Sequence, residues 1–238
     1  MKDIIDRDQE ITIEEGSMAK AFMANVFSYM VVALAISGVM AWWFGNSEMI
    51  NYIISPQGGF TAIGWVTLFS PFAFILAMNF GLQKFSVPVL MLIFIAFATM
   101  LGISLSTIFL RYDLGVIYLT FGVTAGTFGT MAVLGYTTNT DLSKFGSILR
   151  MALIGIIIAM VVNWFIGSSA LDYIISCAGV LIFTGLTAYD TQKLKRIGAG
   201  VEYGSDMSSK LAIMGATTLY LDFVNLFLFL LRIIGGRN

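Results

Sequence analysis

Long apolar runs separated by short polar breaks fill the chain. Seven of them approach or exceed the ~20 residues that a helix needs to cross a bilayer: 22–44, 61–80, 87–110, 115–136, 147–167, 172–192 and 211–234. The ten-residue alternating segments of a membrane β-barrel do not occur. The pattern predicts an all-α, polytopic membrane protein with seven transmembrane helices. The longest breaks are GNSEMINYIISPQGGF (45–60) and TQKLKRIGAGVEYGSDMSSK (191–210). With such short connections, residues 21–238 are expected to form one seven-helix membrane domain. Residues 1–20 precede it as a polar tail, with six of the fourteen acids in the first fifteen positions. A cleaved signal peptide has a basic start and a shorter apolar core, so the segment is expected to be retained.

Some positions inside the runs break the apolar pattern. In the fourth run, Gly122 and Gly126 form a GxxxG, repeated by Ala125 and Gly129. Small residues at this spacing let helices approach closely; packing inside the bundle is the favoured expectation, and self-association the lesser one. Pro71 falls inside the second run, where it can free a backbone group toward a cavity. Asn25, Asn79 and Asn163 are expected to bond between helices.

The seventh run carries one acid, Asp222, about eleven residues from its start, or roughly 16 Å at 1.5 Å per residue. An Asp at a helix centre costs about 3 kcal/mol to insert, and such residues normally face the bundle interior or a wet cavity. Thr218 at i−4 and Asn225 at i+3 share its face, giving one polar stripe that reads as a possible ion path. Asp190 lies near the end of the sixth run, just before Lys193, Lys195 and Arg196. The sixth and seventh helices run in opposite directions, so packing as neighbours can bring Asp190 and Asp222 together. Two close carboxylates in low dielectric cannot both ionise cheaply, and would share a proton. The plainer alternatives stay open: Asp190 as an interfacial acid paired with Lys193 or Lys195, and Asp222 as a single interhelical hydrogen-bond donor.

Composition narrows the chemistry. The chain is 58% hydrophobic and 11% charged, against about 25% charged in a soluble domain. Its net charge of −1 lacks the basic footprint that nucleic acid requires. There are no histidines and one cysteine, Cys177. That excludes an internal disulfide, Ser-His or Cys-His catalysis and an ordinary zinc site; no enzyme activity and no cofactor are expected. It also removes the side chain that titrates near neutrality, so pH sensing falls to displaced carboxylates or to Cys177. Ten of the thirteen Lys and Arg residues fall on the side of the N-terminus, which by the positive-inside bias puts that end in the cytoplasm and the C-terminus outside.

The segments GYTTNTDLSKFG (135–146), GLTAYDTQKLKRIG (185–198) and LYLDFVNLFLFLLRI (219–233) resemble the Bax inhibitor-1 family, and most closely its bacterial branch. The resemblance implies a fold whose last helix is central and wrapped by the other six. It implies a pH-sensitive calcium leak across a membrane, here a bacterial inner membrane. It also implies a hydrogen-bonded di-aspartyl sensor, which residue by residue is Asp190 and Asp222. Animal members suppress cell death, and some bacterial relatives restrain a membrane-bound ATP-dependent protease. A bacterial relative pairs the sensor with an arginine on helix two, but no Lys or Arg occurs here from Trp43 through Gln83. The leading expectation is a calcium leak gated by Asp190 and Asp222, which would also line the calcium path with Thr218 and Asn225. The alternative is a non-conducting regulator that binds another membrane protein. Proton-coupled transport of a small solute is a third reading. The remaining partner is the lipid bilayer itself.

Overall fold

The computed structural model describes the backbone of residues 2–236 and the side chains of residues 16–236. The side chains of the acidic run up to Glu15, and Arg237, lie outside the described residues. Seven helices follow one another: α1 (Lys2–Gly45), α2 (Ala62–Gly81), α3 (Val87–Leu105), α4 (Leu114–Thr137), α5 (Ser143–Ile166), α6 (Ser169–Ala199) and α7 (Asp206–Gly235). Each is long and apolar enough to cross a membrane. No strand occurs among the described residues beyond an isolated bridge between Ile54 and Phe60.

Local chemistry sets the helix ends. Thr61 caps α2, its side chain accepting from the Gly64 amide at 3.0 Å, and Pro88 sits in the first turn of α3, where its missing N–H is no loss. Gly167 ends α5 with φ of 69°, a left-handed cap that a Cβ would oppose. The largest difference from the hydrophobic pattern is the polar stretch 191–210. Gln, Lys, Leu and Arg are good helix formers, and α6 continues through them to Ala199. On the far side, the Ser208 amide donates to Ser205 Oγ at 3.1 Å and starts α7. The break thus shrinks to residues 200–205. Likewise the acidic start of the chain is helical and continuous with the first span, within α1.

The chain divides into two compact units. The first comprises residues up to Tyr112 together with Ile197–Thr217. In it α3 packs against both α1 and α2. Gly102 of α3 lies against the Ser37 backbone of α1, and Gly45 lies against the Ser106 carbonyl. Pro71 stands inside a continuous, unbroken α2. Its missing N–H would have bonded the Thr67 carbonyl. That carbonyl instead accepts from Ser70 Oγ at 2.9 Å and from Ser104 Oγ of α3 at 2.8 Å. The freed group therefore ties α2 to α3 rather than opening toward a cavity.

The second unit comprises Asp113–Arg196 and the chain from Thr218 onward. Here α4 buries Ile117, Thr120, Thr124, Phe128, Ala132 and Gly135, a stripe at helical spacing. Gly122, Gly126 and Gly129 lie on its other side, exposed, with open space where a Cβ would stand. The expected internal GxxxG packing is therefore incorrect: the face that α4 buries runs through Ile117, Thr120, Thr124 and Phe128, away from these glycines. The close approach occurs at Gly135, against the Ala188 backbone of α6. α7 is the most buried of the spans, and residues of it belong to each of the two units.

Two of the three asparagines, Asn79 and Asn163, also differ from expectation. Asn79 donates to the Ile75 carbonyl of its own helix at 2.8 Å, and Asn163 Oδ1 accepts the Ser168 amide at 3.0 Å in the turn before α6. Neither bond joins two spans.

Candidate functional site

The site lies in the second unit, where α6 and α7 run antiparallel. Phe183 of α6 stacks on Phe229 of α7 with ring centroids 5.8 Å apart. Gly179 of α6 lies beneath the Phe229 ring, where a Cβ would collide with it. Near the far end, Arg232 reaches Asp172 at 4.0 Å and lies over the Phe229 ring at 5.5 Å. These contacts fix the register. Seven residues from Phe183 toward the 200–205 turn is Asp190, and seven residues from Phe229 toward it is Asp222. Seven residues are nearly two full turns, so each Asp falls on the face that its Phe occupies.

Asp222 is 5% exposed, and among the described residues no hydrogen bond reaches its Oδ2 atom. The ionisable group whose charge bears on it is Asp190. No Lys or Arg occurs on α7 between Lys210 and Arg232. Thr218 and Asn225 are half-buried on the same stripe, and Asn225 Nδ2 donates to the Leu221 carbonyl at 2.8 Å. On the facing stretch of α6, Thr187 and Thr191 are buried, each donating to the carbonyl one turn back.

Asp190 is half-buried and has cationic neighbours in Lys193 and Arg150. Arg150 belongs to α5. Its guanidinium lies over the Tyr189 ring, 5.2 Å from the centroid, while the same ring fills the space beside Gly146. Gly146 and Arg150 are four residues apart and share a face. One admits the Tyr189 ring and the other covers it. Lys195, the other base expected near Asp190, turns elsewhere: its Nζ donates to the Tyr136 carbonyl at 2.8 Å and lies over the Tyr136 ring.

Beyond the acids, the end of α6 holds the α4–α5 connection. Gln192 accepts the Leu142 amide at 2.9 Å and donates to the Thr140 carbonyl at 2.8 Å. Arg196 pairs with Asp141 at 2.8 Å, and Asp141 also accepts from the Ser143 amide and hydroxyl. The Ser143 hydrogen bonds, followed by the Arg196 contact, hold the Asp141 carboxyl down to about 2. Asp141 is thus an anchor of this loop, charged throughout the physiological range.

Sequence reasoning missed Arg150 as a partner of Asp190. The i, i+4 spacing of Gly146 and Arg150 was visible, but only packing could show that Tyr189 fills the gap. The Gln192 link was equally hidden, because a glutamine in a basic polar stretch gives no signal of its own.

Seven helices long and apolar enough to cross a membrane, the last of them carrying a buried acid, define a polytopic helical membrane protein. The family model for the inhibitor of apoptosis-promoting Bax1 matches residues 19–238. An uncharacterized protein of Borreliella burgdorferi is 42% identical, covering 100% of this chain and 99% of its own. The inner membrane protein YbhL of Escherichia coli K12 is 43% identical over 92% of this chain and 93% of its own. The uncharacterized protein RP147 of Rickettsia prowazekii is 37% identical over 95% and 93%. The chain belongs to the Bax inhibitor family.

Proposed function

We propose that the protein is a pH-sensitive leak for calcium, gated by Asp190 and Asp222 and placed in the inner membrane with its N-terminus in the cytoplasm. The observation that supports this reading is the register of α6 and α7 at Phe183 and Phe229, with Asp222 buried and no Lys or Arg on α7 between Lys210 and Arg232. The placement draws on the lysine and arginine bias and on the similarity to YbhL, an inner membrane protein. With a proton between them, the two carboxyls hold α6 and α7 together and close the path. When that proton leaves, two like charges in low dielectric repel, the helices part, and a cation is drawn in. Calcium takes about six to eight oxygen ligands; two carboxylates supply at most four, so Thr218, Asn225 and water complete the shell in transit.

The test is calcium entry into proteoliposomes across a pH series. The wild type is expected to show a pH-dependent flux, and Asp222→Asn a flux that no longer responds to pH. Equal pH responses in the two proteins would remove the gating role.

One observation favours a second reading, a regulator that binds another membrane protein. The exposed face of α4, with Gly122, Gly126 and Gly129, leaves room for a close helix–helix approach. Deleting residues 1–17 separates a regulator held through its tail from a leak, which survives the deletion.

A further inference from the structure

Two short polar stripes meet where α5 begins and α6 ends. On α5, Ser143, Ser147 and Arg150 follow at i, i+4 and i+7; on α6, Tyr189, Lys193 and Arg196 follow at the same spacing. Each set therefore shares one side of its helix. Contacts join both ends of the stripes, in antiparallel sense. Arg196 Nη1 donates to Ser143 Oγ at 3.3 Å, and the Arg150 guanidinium lies over the Tyr189 ring, 5.2 Å from its centroid. Ser147 and Lys193 are bracketed between these two contacts. Ser147, Arg150 and Lys193 are all exposed.

Two of the three cations here have donors to spare. Arg196 is spent on Asp141 at 2.8 Å. Arg150 and Lys193 act on Asp190 by charge alone, and neither makes a hydrogen bond or an ion pair within 4 Å among the described residues. A guanidinium offers five N–H donors and an ammonium three. Laid flat on Tyr189, the Arg150 fork keeps its edge free and is already oriented for an oxyanion. Arg150 lies seven residues, about 10 Å, from the start of α5, and Lys193 six residues, about 9 Å, from the end of α6. Both are thus near one end of their spans, where lipid headgroups lie. α5 is the least buried of the seven spans. Ile148 and Met151, each next in sequence to a residue of the α5 stripe, are 58% and 62% exposed.

We propose that Arg150, Lys193 and the Ser147 hydroxyl bind the phosphate of an anionic phospholipid along the α5–α6 seam. Basic sites between spans on the cytoplasmic side, where the lysine and arginine bias puts this end, suit such headgroups. Ile148 and Met151 supply the apolar flank that acyl chains need and a free phosphate does not. The site is independent of the leak reading and stands whether or not the protein carries calcium.

The test follows the melting temperature of the full chain in detergent during titration with phosphatidylglycerol, phosphatidylcholine or inorganic phosphate. Phosphatidylglycerol is expected to raise it saturably, and the other two are not. Near an anionic lipid each Lys or Arg is worth about fivefold in affinity. Arg150→Gln and Lys193→Gln are each expected to weaken phosphatidylglycerol by about that factor. Lys84→Gln, which removes the same charge from the α2–α3 connection, is expected to leave it unchanged. Each variant is compared with itself without lipid, so a change in its own stability cancels. If Arg150→Gln fails to fold for want of its Tyr189 contact, Lys193→Gln carries the test alone. Four results overturn the site: no saturable rise with phosphatidylglycerol, an equal rise with phosphatidylcholine, an equal rise with inorganic phosphate, or equal weakening in Lys84→Gln.

Discussion

Phe183 of α6 stacks on Phe229 of α7, and the pair sets the register of the two helices that carry the acids. A stacked aromatic pair contributes about 1 kcal/mol beyond the area it buries, and this one stands a heptad from Asp190 and Asp222. Phe229→Ala is expected to lower the melting temperature in detergent and to broaden the pH response of flux, because the acids lose their fixed spacing. Phe229→Leu is expected to retain much of the stability. An unchanged melting temperature and pH response in Phe229→Ala would show that the register is held elsewhere.

The two kinds of glycine on α4 behave oppositely. Gly135 has the Ala188 backbone where its Cβ would stand, while Gly122 has open space. Gly135→Val is expected to destabilise the purified protein strongly, by a few kcal/mol as overpacking does. Gly122→Val is expected to leave the isolated protein within about 0.5 kcal/mol of the wild type. Thermal unfolding in detergent reads both. The reverse order would restore an inward-facing GxxxG.

Arg150 is the cation on α5 that faces Asp190 and covers Tyr189. Arg150→Gln is expected to displace the pH midpoint of flux, because it removes a charge that acts on a carboxyl, while Arg150→Lys keeps it near the wild-type value. Identical midpoints in all three proteins would reduce Arg150 to a packing residue.

The α4–α5 connection has a pH limit of its own. The Asp141 carboxyl is held down to about 2 in the folded protein, against an ordinary value of about 3.9. A depressed acid stabilises above its unfolded value and loses that contribution as pH falls toward 2. Asp141 therefore takes no part in any response near neutrality, and Asp141→Asn is expected to leave the flux midpoint where it was. Gln192 is 5% exposed and holds the loop through two backbone groups. Its replacement by Ala is expected to cost about 1–3 kcal/mol, the range for buried groups left unpaired. Hydrogen exchange at residues 138–142 should rise more in Gln192→Ala than in Asp141→Asn; the opposite order would make the exposed ion pair the true anchor.

Much of this was legible in the sequence because a bilayer enforces it. Every span must be a long apolar helix with its backbone satisfied internally, so the seven runs could be read off directly, as could the polar stripe of Thr218, Asp222 and Asn225. Helix ends in polar sequence were not legible. The segment 191–199 reads as a loop by hydropathy yet is helix, since its residues favour helix and are merely hydrophilic. Facing was also hidden: in lipid both sides of a helix are apolar, so the pattern of α4 could not tell that its glycines point outward. Pro71 announced a freed carbonyl, but not that Ser104, thirty-seven residues on from Thr67, would take it.

The central claim is that Asp190 and Asp222 hold one proton jointly, and infrared spectroscopy of the protonated carboxyl band tests it most directly. In the wild type, titrated across the pH range of flux, one such band is predicted to disappear with the midpoint of calcium entry. Asp222→Asn should abolish it, and Asp190→Asn should displace its titration. A band that is untouched by Asp222→Asn, or that titrates identically without Asp190, would contradict the shared proton.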